Sequence, residues 1–350
     1  MIDWELVRLA AYRAAGTNWL EVGPPLARLQ ATYQAYVAEA KDLIAAFTGW
    51  PIPSLPDTVE VADREAWIEA NISQFRRLFE VLRPALFPDP GPDPLGRLVA
   101  RVGLTALSLQ VGVLLGFLSR RVLGQFDVAF FGPPQDRRVL FVEPNIQRAV
   151  QTMQVNVESF RFYLALHETT HIAEFTAHPW LSDYLMDLLR RCLTTAGGET
   201  LASVLSRLVS QPQEALRQSP LTFLLTDEQR ALVDQIQAAM SLIEGYGDYV
   251  MHQLAPRRLP DAAEIDRKFA ERRQHRTPLE QLLFRLTGLD LKLAQYAAGE
   301  RFVAAVVAAG GPTAIQLAWR DPASLPTLTE LREPARWLAR MAIAPAGRSG

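Results

Sequence analysis

The sequence predicts a mainly α fold with a minor β part (α+β), in which a helix bearing an HExxH motif packs against a later, Glu-bearing helix and a small β-hairpin or sheet completes the unit. Three observations carry this. Apolar residues recur at helical spacing through most of the 350 residues. The only clear strand signal is confined to residues 125–146. And His167-Glu168-Thr169-Thr170-His171 sits inside a long helical pattern that Pro179 stops.

Composition narrows the function classes. With 49% hydrophobic residues there is material for one large core or two ordinary ones, which excludes global disorder. Thirty-six Lys and Arg against 38 Asp and Glu leave a net charge of −2, so no field of the whole chain draws in nucleic acid or an anionic membrane. Cys192 is the single cysteine; an internal disulfide and a Cys-rich zinc module are excluded, and a reducing cytoplasm is the expected compartment. The first 30 residues carry early acids and no apolar block before a small-residue cleavage site, so a signal peptide is not expected.

In chain order, Pro24-Pro25 opens a run to Gly49 whose Leu26, Leu29, Tyr33, Tyr36, Val37, Ala40, Ile44 and Phe47 share one side, an amphipathic helix with Pro at its start and Gly at its end. The Pro-rich stretches 51–57 and 84–94 are expected to continue no helix and to bracket another, built on Trp67, Ile68, Ile72, Phe75, Leu78 and Phe79. Residues 1–95 thus form a helical N-terminal layer and 96–350 a metal-binding domain, the two making one compact unit. Residues 102–118 run 17 positions without a charge, just short of a membrane span. A helix buried all round is expected, with no membrane span, and Gly103, Gly112 and Gly116 mark close helix contacts. Two apolar runs, 128–131 and 139–142, flank a Gly-Pro-Pro-Gln-Asp loop and read as a hairpin. Helical patterns resume at Asn156 and continue to the C-terminus.

The HExxH carries the chemistry. Residues four apart on a helix lie one above the other, so His167 and His171 can reach one metal ion from the same face. Glu168, about 100° round the helix, can approach a water on that metal without ligating it, the place of a general base. Asn156 caps this helix, Glu158 suits its first turn, and Phe160, Tyr163, Leu164 and Phe175 put the histidines in an apolar stripe. The bland alternative is a pair of core histidines satisfied by hydrogen bonds.

A metal needs a third ligand. Thr226-Asp227-Glu228-Gln229 reads as a capping box opening a helix that ends before Pro256, with Leu232, Ile236, Met240, Ile243, Gly247, Val250 and Leu254 on its apolar stripe. Glu244 lies beside the stripe and Asp248 four residues on, a like-charge pair that calls for a cation. Glu244 is the third ligand on this reading, and Asp248 the carboxylate that accepts the other ring N–H of a ligating histidine. Gly245 and Gly247 each cost about 1 kcal/mol in a helix, which close approach to the metal-bearing helix would offset. The alternative is a solvent-facing acidic helix.

An HExxH followed on a later helix by E-x-x-x-D resembles the pattern of the gluzincin metallopeptidases. More closely, the chain resembles an uncharacterised zincin-like family described either as coenzyme F420 biosynthesis-associated or as hydrolases, through LGQFD at 123–127, LHETTHIAEFTAHPWL at 166–181, LIEGYGDYVM at 242–251 and the long segment 263–303. The resemblance implies a zincin-like fold, metal roles for His167, His171 and Glu244, and a base role for Glu168. His171 and Glu244 are 73 positions apart, wider than in familiar gluzincins.

The expected activity is that of a zinc-dependent hydrolase, a metallopeptidase or amidase acting on a peptide or small amide through water activated by Zn²⁺ and Glu168. Tyr246, Tyr249, His252 and Tyr296 are available to stabilise the oxyanion, Tyr246 and Tyr296 being carried as catalytic candidates; each is also explained as a structural residue at a core edge. Arg267, Lys268, Arg272, Arg273, His275 and Arg276 form a solvated basic face or an anion clamp, with Lys292 a second clamp candidate. His178, against Pro179, reads as a helix-end residue rather than a fourth ligand. The rival class is a zincin-like binding or scaffold protein that serves cofactor biosynthesis without turnover. The oligomeric state is not written in the sequence.

Overall fold

The computed structural model describes residues 2–16, 26–52, 58–86, 94–127, 138–194, 226–274 and 290–342. Two compact units are present: Met1–Ala173 with Leu259–Asp266, and Glu174–Arg258 with Arg267–Gly350.

The first unit holds α1 (Trp4–Ala15), α2 (Leu26–Thr48), β1 (Thr58–Ala62), α3 (Arg64–Leu86), α4 (Pro94–Ser119), β2 (Gly124–Asp127), β3 (Arg138–Val142), α5 (Glu143–Met153) and most of α6 (Val157–Ala177). Of the stripe on α2, Leu29 is buried, Tyr33, Val37, Ala40 and Ile44 are fully enclosed, and Tyr36 and Phe47 are half-buried. Gly49 closes that helix at a φ of 71°, a left-handed conformation that glycine adopts without strain.

The sheet is three-stranded, in the order β1-β3-β2. Strand β3 falls where the sequence placed it and pairs antiparallel with β2, Phe126 opposite Val139. The partner strand is Gly124–Asp127, earlier than the predicted 128–131; that run and its Gly-Pro-Pro loop lie outside the described residues. Strand β1 is an addition, parallel to β3 with Thr58 opposite Arg138. It follows the Pro-rich stretch 51–57 directly, and its backbone is held by Gln30 of α2, whose amide donates to the Val59 carbonyl and whose side-chain oxygen accepts from Val61 N–H at 3.0 Å. Residues 143–146, within the stretch read as strand, instead open α5, with Pro144 in its first turn where a missing N–H is harmless.

Helix α4 corrects an expectation. It is not buried all round: Leu98, Val102, Leu109 and Val113 are between 42% and 62% exposed. Its other face carries Leu104, Leu107, Val111, Leu115 and Leu118 into a core shared with Val7, Ala11, Trp67, Ile68 and Ile72. Gly112 and Gly116 admit α1, since a Cβ at either would lie 2.4 or 2.3 Å from the carbonyls of Val7 or Ala11, whereas Gly103 faces open space. Among the described residues this is the one helix, over Arg101–Ser119, long and apolar enough to cross a membrane, which by itself is weak evidence of a span.

In the second unit stand α7 (Trp180–Thr194), α8 (Asp227–Arg258), most of α9 (Ala262–Gln274), α10 (Asp290–Gly310), and the short α11 (Pro312–Gln316), α12 (Leu328–Arg332) and α13 (Pro334–Arg340). The capping box forms as read: Gln229 N–H donates to Thr226 Oγ1 at 3.1 Å and Thr226 N–H to Gln229 Oε1 at 2.9 Å. Two helices outrun the prolines expected to stop them. Helix α3 continues past Pro84 to Leu86, and α8 past Pro256 to Arg258. Each proline falls in the last turn, where only one intrahelical bond is lost. Gly245 of α8 admits the backbone of α10 rather than, as expected, that of the HExxH helix: a Cβ there would lie 2.2 Å from the Gly299 carbonyl carbon. Two glycines facing each other let the main chains of α8 and α10 touch, which offsets their poor helix propensity.

Two buried polar features generate predictions. In the first unit Glu143 is wholly buried; it accepts from the Arg161 guanidinium on α6 and from the Tyr33 hydroxyl at 2.9 Å. Burial and the carboxylate together push the Tyr33 phenol well above its ordinary range. Replacing Arg161 with Met should lower stability to chemical denaturation by about 3–5 kcal/mol by stranding Glu143, whereas adding Glu143→Leu should restore much of the loss. In the second unit His178 stacks on Trp319, ring centroids 5.3 Å apart at 15°, and burial lowers its imidazole from 6.5 to about 4. The folded state keeps this ring neutral while the unfolded chain protonates it near 6.5, so its stabilisation is complete above that pH and drains away as the pH falls towards 4. Denaturation midpoints of wild type should decline across that window more steeply than those of His178→Phe; parallel profiles would refute the assignment.

Candidate metal centre

Helix α6 is built to be enclosed. Asn156 Oδ1 caps it by accepting from Ser159 N–H at 2.9 Å, and Glu158 in the first turn accepts from Arg161 at 2.6 Å and from the Tyr36 hydroxyl at 2.7 Å. From Phe160 to Phe175 every residue is buried except two, and the two are His167 and His171. The intervening threonines need no outside partner: Thr169 Oγ1 donates to the Ala165 carbonyl at 2.6 Å and Thr170 Oγ1 to the Leu166 carbonyl at 2.9 Å. His178 N–H bonds to the Glu174 carbonyl at 3.1 Å and Pro179 follows, so the helix ends where the sequence indicated.

The histidine rings turn towards one another. Their Nε2 atoms are 3.2 Å apart and the ring planes stand at 80°. Two nitrogens bound to a tetrahedral zinc at 2.0–2.1 Å would be about 3.3 Å apart, so the pair has the spacing a shared ion requires. Glu244, half-buried on α8, completes the group: one ligand atom from each of His167, His171 and Glu244 lies within 4.8 Å of the others. No other cluster of three potential ligands occurs among the described residues. Two imidazoles and a carboxylate, three protein ligands in all, match the donor set of zinc sites that keep one coordination position for water or substrate.

Glu168 is 7% exposed and points elsewhere than the solvent. Its Oε2 accepts from the backbone N–H of Phe126 at 3.0 Å, and its carboxylate lies over Gly124. This strand contact is not legible in the sequence, because LGQFD carries no group that announces a carboxylate partner. Glu174 is a further carboxylate that the sequence does not single out. It is fully buried one turn beyond His171, and its charge helps raise the Tyr246 phenol. The i, i+3 spacing from His171 on a helix was the available signal.

The remaining candidates fall as follows. Tyr246 is 1% exposed, stands edge-on to Trp319 with centroids 5.3 Å apart, and receives the Gln316 amide at 3.4 Å; burial pushes its phenol well above the ordinary range. That is the setting of a core tyrosine. Tyr249 is half-buried, its ring 6.2 Å from that of Tyr246. Asp248 is half-buried on α8. His252 Nδ1 is 2.7 Å from Glu300 Oε1 of α10. Tyr296 and Lys292 lie on α10, their side chains outside the described residues, as are the Arg273 side chain, His275 and Arg276. Arg267 pairs with Glu271 at 2.6 Å, both about half exposed, which is the solvated-face arrangement.

Comparisons with known proteins give the chain's family and fold. Over its whole length, and over the whole of that protein, the chain is similar to a Chloroflexus aurantiacus protein of known crystal structure, described as a putative hydrolase with a novel fold, at 38% identity and a TM-score of 0.71. No curated protein matches the chain. The model of the zincin-like metallopeptidases matches residues 2–338. With that match spanning nearly the whole chain, this chain belongs to the zincin-like metallopeptidase family.

Proposed function

We propose that the protein is a zinc-dependent hydrolase of amide bonds, a metallopeptidase or amidase, in which His167, His171 and Glu244 hold the ion and Glu168 is the general base. The observation that carries this reading is the pair of openings in an otherwise buried helix: the only two residues of α6 between Phe160 and Phe175 that are not enclosed are the two imidazoles that converge with Glu244. A structural pair of core histidines would have been buried with the rest of the stripe.

Zinc at these three ligands supplies a Lewis acid that polarises a carbonyl and makes water acidic enough to be deprotonated near neutral pH. The chain's own contribution is proton movement. Glu168 takes the proton of the attacking water on its carboxylate and returns it to the departing amine, so the residue ends the cycle as it began. A position adjacent to His167 in sequence keeps it beside the ligands without making it one. A purely structural zinc site has no need of such a carboxylate, which favours turnover over a binding role. The substrate is a peptide or small amide.

Metal analysis of protein handled without chelators should find one zinc per chain, and His171→Ala or Glu244→Ala should lose it. Glu168→Gln should keep the zinc and lower the turnover of any substrate found in a broad peptide and amide library by about 10²–10⁴-fold. Stoichiometric zinc with no cleavage of any member by wild type would instead support a binding protein, and loss of zinc in Glu168→Gln would make that residue part of the metal scaffold.

A further inference from the structure

The sheet ends on β2, so among the described residues the outer edge of that strand has no strand partner. Along an edge, the N–H groups of alternate residues point outward and need other acceptors. Gly124 and Phe126 are alternate residues of β2. Phe126 N–H is satisfied by Glu168 Oε2 at 3.0 Å. At Gly124 a Cβ would lie 2.5 Å from Glu168 Oε1 and 2.8 Å from its Cδ and Cγ, closer than real Cβ contacts come, so a side chain there would displace the Glu168 carboxylate. One oxygen of the carboxylate is therefore pinned to the main chain, while the other occupies space that exists because residue 124 has no side chain.

We propose that the outer edge of β2 is a positioning device for Glu168, in which Phe126 N–H fixes Oε2 and Gly124 makes room for Oε1 as the oxygen that handles the proton. The inference rests on the reading of Glu168 as general base and deepens it. A glutamate has three side-chain torsions, and a carboxylate free to sample them spends little time aligned with its target. Anchoring one oxygen to a rigid backbone donor removes most of that freedom, and the anchor is a sheet rather than a loop. A misplacement of about 1 Å in a reacting group is worth about 10²-fold in rate. Neither Gly124 nor Phe126 touches the reacting atoms in this scheme; both act through Glu168.

The test is a cycle of four proteins: wild type, Gly124→Ala, Glu168→Ala and the double variant. In the metal-free state Gly124→Ala should lower the thermal midpoint, and most of that loss should vanish in the Glu168→Ala background, where the obstructing carboxylate is gone. An equal loss in both backgrounds overturns the contact. If Gly124→Ala alone does not fold, folding of the double variant supports the contact and failure of both overturns it; Gly124→Ala with Glu168→Asp, whose carboxylate is one methylene shorter, then serves for kinetics. On a substrate cleaved by wild type, Gly124→Ala should retain one zinc, keep KM within about threefold and lose about 10²-fold in kcat. Unchanged kcat in a protein with a lowered midpoint overturns positioning while leaving the hydrolase reading intact. Thermal coupling in a zinc-loaded wild type that cleaves nothing overturns the hydrolase reading and, with it, Glu168 as a base, so the two failures are distinguished.

Discussion

Enclosing a helix that bears polar groups on every side is the constraint on which the remainder of the structure turns. A buried polar atom left without a partner is destabilising by about 1–3 kcal/mol, and a buried charge by more. Most polar positions of helix α6 have a specific answer. Arg161 is answered by Glu143 and Glu158, Thr169 and Thr170 by carbonyls of the preceding turn, and Glu168 by the edge of a β-strand. Only His167 and His171 have an outlet, and their nitrogens converge. The small sheet, an apparently minor part of a helical protein, is thereby tied to the motif through Phe126 and Gly124.

The same economy governs the glycines. Gly112 and Gly116 let α1 lie against α4, and Gly245 and Gly299 let α8 meet α10. In both cases a poor helix former is tolerated because backbone contact replaces the side-chain layer that would otherwise separate the helices. The α8–α10 contact matters for the site, since Gly245 is the neighbour of Glu244 and the crossing sets where that turn of α8 can be.

The departures from sequence expectation share a physical origin. Helix α4 reads as buried all round because composition reports apolarity and not which face finds a partner; four of its large apolar residues are exposed. Prolines 84 and 256 read as stops, but a proline in a last turn forfeits a single bond that the rest of the helix outweighs. Strand β1 leaves no local signature because it is held by β3 and by Gln30, contacts that are distant in sequence. Gly245 meets α10 rather than the HExxH helix, because a glycine announces that something comes close without saying what.

What the chain determined by itself is whatever depends on residues within a few turns of one another. The helical periodicity, the Asn156 cap, the Thr226–Gln229 capping box, the stop at Pro179 and the stacking of His167 over His171 all follow from local geometry. Glu244 could be nominated as well, because an acidic pair beside an apolar stripe asks for a cation. Its arrival within 4.8 Å of the imidazoles, the use of β2 as the support for Glu168, and the burial of Glu174 were decided only by the tertiary structure. Those are meetings of segments tens of residues apart, where the partner is chosen by the packing of whole helices and a sheet edge and leaves no periodic trace in either segment.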